Sequence, residues 1–268
     1  MKKVTTVSLQ TMKKRGEKIA VLTAYDATFA WLEDQAGTDV ILVGDSAAMV
    51  IGGEESTLTA TMDQMLYHTR CVSRGVERAL LVADMPFLSF QIAPQETVRN
   101  AGRFLAEAGA EAVKLEGGEA ILDHVKRLVD VGIPVMGHLG LTPQSIHKFG
   151  GWDVRGRDEA EAERMIEDAV KLEEAGAFSI VLEKISAPLA EKITASLHIP
   201  TIGIASGPDC DGQVLVNYDM LGLYSKFNLK FVRKYLNLAE DISVAVRRYV
   251  KDIKNGDFPN QDESYDLV

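Results

Sequence analysis

The sequence predicts an α/β protein built as a single (β/α)8 TIM barrel, and three observations predict it. Short β-branched and apolar runs recur with helical stretches between them, the alternation that a parallel sheet requires. The runs lack strict apolar–polar alternation, as strands covered on both faces do. The length, 268 residues, is near the roughly 250 of a typical barrel. No Gly/Ser linker or proline cluster divides the chain, so 1–268 reads as one domain.

Residues 1–17 form a segment ahead of the first strand. The predicted strands are Ile19–Ala24, Val40–Gly44, Leu80–Ala83, Ala112–Leu115, Val135–Leu139, Ser179–Leu182 and Thr201–Ile204. Helices are expected over Thr61–Ser73, Ala93–Ala108, Asp158–Ala175 and Ala187–Ser196. Gly109 and Gly176 fall where a helix must stop before the next strand, the place of a left-handed cap. Pro134 and Pro200 open strands, where a missing N–H costs little. The eighth strand, near Gln213–Asp219, is the weak point, because the gap after the seventh is too short for the usual crossover helix. Lys226–Asn255 reads as helical, and Asp257–Val268 as an acidic end, mobile or serving as a contact arm.

Composition narrows the function. Lys and Arg number 29 against 39 Asp and Glu, a net charge of −10. That balance argues against nucleic acid, which needs a basic face, and against an anionic membrane surface. No apolar run is long enough to span a bilayer, and the first residues lack the apolar core of a signal peptide. Cys71 and Cys210 are too few for a disulfide framework or a four-thiolate zinc site, so a reducing cytoplasm is expected.

The placement of acids is informative. Asp45 follows the second strand, Asp84 the third, Glu116 ends the fourth and Glu183 the sixth. All four therefore fall on the C-terminal rim, where barrel enzymes keep their active sites. With adjacent strands about 4.8 Å apart, Asp45, Asp84 and Glu116 can share one small volume. They would repel each other unless something positive joined them, and a hard cation such as Mg²⁺ suits an all-oxygen ligand set. For any one of them alone, helix capping competes with this reading; three on consecutive strands favour the metal. Lys114 shares the face of Glu116, two residues on, and a buried ammonium needs partners. His138, ending the fifth strand, stands as a contact to the substrate or behind the metal ligands. The loop Gly203–Gly207 is read either as a phosphate site or as a tight turn.

The segments Leu22–Asp26, Leu42–Ser46, Leu81–Phe87, Val113–Gly118, Gly137–Ser145, Phe149–Gly151, Val181–Glu183 and Asp211–Gln213 run in order along nearly the whole chain. Jointly they resemble the ketopantoate hydroxymethyltransferase family. The resemblance implies a Mg²⁺-dependent (β/α)8 barrel that carries a one-carbon unit from 5,10-methylenetetrahydrofolate to 3-methyl-2-oxobutanoate, giving 2-dehydropantoate through a Mg²⁺-stabilised enolate. By the same resemblance Asp45, Asp84 and Glu116 bind the metal, Asp45, Ser46, Asp84 and Lys114 contact the 2-oxo acid, and Glu183 accepts the proton. A homodecamer is also implied. Two positions depart from the family pattern, Ala205 where glycine is usual and Lys184 after the base. A Mg²⁺-dependent 2-oxo-acid lyase or mutase of the phosphoenolpyruvate mutase and isocitrate lyase group is the alternative, and a catalytically silent scaffold the third reading.

Overall fold

In the computed structural model, residues 2–224 and 229–265 are described. They form two compact units, one ending at Val216 and one beginning at Asn217. The first is a closed barrel of eight parallel strands in sequential order. These are β1 (Ile19–Thr23), β2 (Val40–Val43), β3 (Leu80–Asp84), β4 (Ala112–Glu116), β5 (Val135–Gly140), β6 (Ser179–Glu183), β7 (Thr201–Ile204) and β8 (Gly212–Leu215). β8 closes the ring on β1, with Ile19 opposite Gly212 and Val21 opposite Val214.

Helices Ala27–Gln35, Met62–Ser73, Pro94–Ala108, Leu122–Asp130, Glu159–Glu174 and Ala187–Ser196 follow β1 to β6 in turn. The expected helix starts at Thr61, Ala93 and Asp158 prove to be the capping residues. The Thr61 hydroxyl accepts from the Gln64 N–H while the Gln64 side chain returns to the Thr61 N–H, and the Asp158 carboxylate accepts from the Glu161 N–H. Such caps satisfy donors that a helix start leaves unpaired. Gly109 and Gly176 have φ of 79° and 96°, the left-handed conformation expected of them.

The eighth strand is present, and it runs Gly212–Leu215 rather than to Asp219. Its register explains the missing crossover helix. Gly212 lies opposite Ile202, so the chain leaving Ile204 need drop back by only about 7 Å at the usual rise per residue. The loop 205–211 spans that.

Alternation along the strands sorts the core into two shells. Outward residues such as Ile41, Val43, Leu81, Val113, Leu115, Val135, Ile180 and Leu182 pack under the surrounding helices. Inward residues Ile19, Val21, Val40, Leu42, Leu80, Val82, Ala112, Met136, Val181, Ile202 and Val214 fill the lower barrel. Val4 and Leu9, the latter on the helix Thr6–Arg15 within the N-terminal segment, join that inner cluster. Each such side chain contributes on the order of 1.5–3 kcal/mol by leaving water. One step further along β3 to β6, the same inward face carries Asp84, Lys114, Glu116, His138 and Glu183. The barrel thus stops being apolar at its C-terminal end.

The second unit differs from expectation. Its long helix is Leu238–Asn255, so within the described residues 229–255 the expected helix covers only the later part; residues 226–228 lie outside the described residues. Residues 261–263 form a single 3-10 turn capped by Asn260, and 266–268 lie outside the described residues.

Candidate active site

Asp84 and Lys114 sit opposite each other on β3 and β4. The Lys114 Nζ lies 2.8 Å from Asp84 Oδ1, and both side chains are only 5% exposed. The ion pair is set off the line of a hydrogen bond, so Asp84 Oδ1 has charge compensation but no aligned donor. Its other oxygen accepts from the Asp45 N–H at 3.1 Å, which fixes the turn leaving β2. Gly44 precedes that turn, and a Cβ there would stand 2.6 Å from Ser46 Oγ. The Ser46 hydroxyl is held 2.8 Å from the Tyr25 hydroxyl.

Glu116 and His138 face each other across β4 and β5. The imidazole is a hub: Nδ1 is 3.3 Å from Glu116 Oε1 and 3.2 Å from Lys114 Nζ, and Nε2 is 3.2 Å from Glu183 Oε2. Gln144, on the loop after β5, closes the other side. Its side-chain amide donates to Asp45 Oδ2 and to the Met85 carbonyl, both at 2.9 Å, and its backbone N–H donates to Glu116 Oε2 at 2.9 Å.

The electrostatics follow from burial and neighbours. Burial, with Asp84 and Glu116 nearby, pushes the Asp45 carboxyl well above its ordinary value. Burial also raises Asp84, and the Lys114 ammonium offsets only part of that. Glu116 goes the other way: burial would raise it, but the His138 contact and the Lys114 charge together hold it low. Burial and Lys114 oppose protonation of His138, yet its two carboxylate partners lift it to about 9. Lys114 is driven upward against its own burial by the three acids around it, so it stays an ammonium.

The structure therefore brings every expected residue to one place, with one rearrangement. Asp45 and Asp84 meet directly, but Glu116 turns both oxygens to His138 and Gln144. Among the described residues no three His, Cys, Asp or Glu side chains stand as a ready metal shell. The positive partners that the acids need are the Lys114 ammonium and the His138 imidazolium, and the neutral Gln144 amide adds a hydrogen-bond donor. The residues still suit a hard cation: the ligating atoms are oxygens, and buried Asp84 Oδ1 has the Lys114 ammonium beside it but no aligned hydrogen bond. Asp45, Asp84 and Glu116 are the residues that could hold it.

Sequence reasoning missed Gln144, Gln91 and Tyr25 as parts of the site. Gln144 and Tyr25 lie inside the segments Gly137–Ser145 and Leu22–Asp26, which was the signal available; neutral loop residues obey no spacing rule. Of the two readings of Gly203–Gly207, the turn prevails. The Ser206 hydroxyl is spent on the Leu182 carbonyl at 2.8 Å, and that residue is 1% exposed.

A closed parallel barrel with an ammonium, four carboxylates and an imidazole gathered at its C-terminal rim defines the class, a barrel enzyme. The model of the ketopantoate hydroxymethyltransferase family matches residues 3–261, and the chain belongs to that family, whose members are transferases. It is 58% identical to the 3-methyl-2-oxobutanoate hydroxymethyltransferase of Syntrophus aciditrophicus (strain SB), covering 98% of this chain and 97% of the relative. It is also 58% identical to that of Prosthecochloris aestuarii (strain DSM 271 / SK 413), covering 98% and 96%. Among solved structures, a 2,3-dimethylmalate lyase of the PEP mutase/isocitrate lyase superfamily superposes with a TM-score of 0.59 at 16% identity, over 97% of this chain and 91% of that one. A phosphonopyruvate hydrolase in complex with oxalate and Mg²⁺ gives 0.61 at 14% identity, over 97% and 93%. These two likenesses show the shared barrel. No helix among the described residues is long and apolar enough to cross a membrane.

Proposed function

We propose that this enzyme transfers a hydroxymethyl group from 5,10-methylenetetrahydrofolate to 3-methyl-2-oxobutanoate, giving 2-dehydropantoate, with Mg²⁺ held by Asp45, Asp84 and Glu116. The observation that carries the reading is the opposition of two charge systems on one rim. Asp45, Asp84 and Lys114 lie on one side of His138, and Glu183 lies on the other. Mg²⁺, when bound, would polarise the 2-oxo group and so favour the negative charge that grows on its oxygen.

The chain's own residues divide the remaining work. Lys114 is a fixed cation suited to the substrate carboxylate, and Ser46, anchored by Tyr25, offers a hydroxyl beside Asp45. Glu183 takes the proton from C3. Its side chain is 19% exposed against 4% for Glu116, so a substrate can reach it. His138 keeps its Nε2 3.2 Å from Glu183 Oε2, a charge contact without an aligned hydrogen bond. The C3 carbanion equivalent then forms the new C–C bond to the one-carbon unit of the folate, water supplies the oxygen of the new hydroxyl, and tetrahydrofolate leaves. A 2-oxo acid and a folate are thus the small-molecule partners. The cytoplasm is the proposed location, and a homodecamer the proposed assembly; both rest on likeness to the family.

Exchange of the C3 proton of 3-methyl-2-oxobutanoate in D₂O tests this. Purified protein with Mg²⁺ and no folate should wash deuterium into C3, and added methylenetetrahydrofolate should yield 2-dehydropantoate. No exchange above an EDTA control would refute the proposed route. Exchange without product on adding the folate would refute the donor.

A further inference from the structure

The Gln144 amide belongs to none of the roles above, yet it is the most committed polar group on the rim. Both of its N–H donors are in use, on Asp45 Oδ2 and the Met85 carbonyl. Its Oε1 accepts from Gln91 Nε2 at 3.0 Å, and its backbone N–H reaches Glu116 Oε2. An amide has two donors and two acceptor sites that a half-turn exchanges. Here a half-turn would set Oε1 against a carboxylate and a carbonyl, and the NH₂ against the Gln91 donor. The Asp45 carboxylate and the Met85 carbonyl, which can only accept, therefore set which way the amide faces, and Gln91 holds its oxygen there. Gln144 is 7% exposed, so water offers little substitute for these bonds, and losing one partner of a buried hydrogen bond is costly.

The consequence is geometric. Gln144 takes one oxygen of Asp45 through its side chain and one of Glu116 through its backbone. A single residue thereby ties the loops after β2, β3 and β5 to one another. We infer that Gln144 is a positioning residue for the cation site, fixing the Asp45 and Glu116 carboxylates, and that Gln91 fixes Gln144. The inference rests on the Mg²⁺ reading above and deepens it. Orientation of the ligands by the groups behind them commonly governs affinity by tenfold or more.

The experiment is calorimetric titration of the EDTA-stripped full chain with Mg²⁺ alone, beside its metal-free melting temperature. Gln144→Met keeps length and bulk but donates nothing from its side chain. Gln91→Met removes the donor that holds the amide oxygen and, being half-buried, tests the inference even if Gln144→Met fails to fold. The expected result is Mg²⁺ affinity at least tenfold weaker in Gln144→Met and about threefold weaker in Gln91→Met. Gln91→Met strands one acceptor and should melt somewhat below the wild type but above Gln144→Met while unfolding cooperatively, so that its Mg²⁺ affinity is read on folded protein and separates positioning from mere loss of structure. Wild-type Mg²⁺ affinity in the folded variants overturns the inference and leaves the cation reading standing. Absence of Mg²⁺ binding by the wild type overturns both.

Discussion

Both ends of the barrel gather acidic side chains, but they use them differently. Ahead of the strands, Asp34, Asp39 and Asp211 are spent on the fold. Asp34 accepts from the backbone N–H groups of Glu77, Arg78 and Ala79. Asp39 takes the Ala20 N–H and the Arg78 guanidinium, and Asp211 takes the Thr201 N–H and the Lys13 ammonium. At the C-terminal rim the acids are left short. Asp84 Oδ1 has no aligned donor, Glu183 leans on one imidazole nitrogen, and Asp45 is buried beside two like charges. A carboxylate saturated by backbone N–H groups is a structural element, whereas one held in deficit is available for a ligand. That difference can be broken by substitution at either end.

The largest effect is expected at Glu183. Glu183→Gln keeps the shape and can still meet His138, but it cannot take a proton. C3 exchange should fall by at least about 10³, within the range that general bases supply, while binding of the 2-oxo acid changes little. Loss of binding with exchange per bound substrate intact would reassign Glu183 to the binding surface. At the other end, Asp34→Ala should do the reverse. It strands buried backbone donors at roughly 1–3 kcal/mol each, so stability should drop by about 3 kcal/mol or more in denaturant titrations. Kinetic constants measured where the protein is folded should stay near wild type. If exchange collapses instead, the division between the ends is wrong.

A smaller and opposite effect is expected at Asp45. Its folded-state pKa is raised above the ordinary 3.8, so the folded chain holds that proton more tightly than the unfolded chain does. Stability is then unimpaired at low pH and declines as pH rises from that ordinary value through the raised one. Asp45→Asn removes the penalty. Metal-free Asp45→Asn should melt higher than metal-free wild type at neutral pH, by an amount on the order of 1 kcal/mol, while activity is lost. Equal melting of the two across the acid-to-neutral range would show that the deficit at the rim is not a stored cost.

How much of this was legible in the sequence depends on what each residue obeys. Asp45, Asp84, Glu116 and Glu183 could be placed because strand–helix units have a regular length and the rim follows from it. Lys114 could be placed because an ammonium inside an apolar run must find acids. Two things escaped. The eighth strand was set too late in the chain because its position depends on barrel stagger, which brings Gly212 opposite Ile202 and makes a helix unnecessary; no local pattern encodes that. Gln144 escaped because an uncharged amide gains its role only when three loops meet.

The loop after β7 gives the finest comparison, since it lies at the rim yet belongs with the structural acids at the other end. Ala205 has φ of 54°, in the left-handed region where a Cβ costs about 1–2 kcal/mol. The neighbouring Ser206 hydroxyl is bound to the Leu182 carbonyl and also reaches the Ile204 carbonyl at 3.1 Å, which holds the turn in that shape. Ala205→Gly removes the Cβ conflict but gives the unfolded chain more freedom, worth roughly 0.5–1 kcal/mol against it. The net expectation is a gain of about 0.5 kcal/mol, read as a small rise in denaturation midpoint at unchanged slope. Exchange and product formation should not move, because the one side-chain hydroxyl in the turn, that of Ser206, is already committed to the barrel wall. A change in turnover with unchanged stability would assign the loop to the reaction and shift the boundary between the two kinds of region to the end of β7.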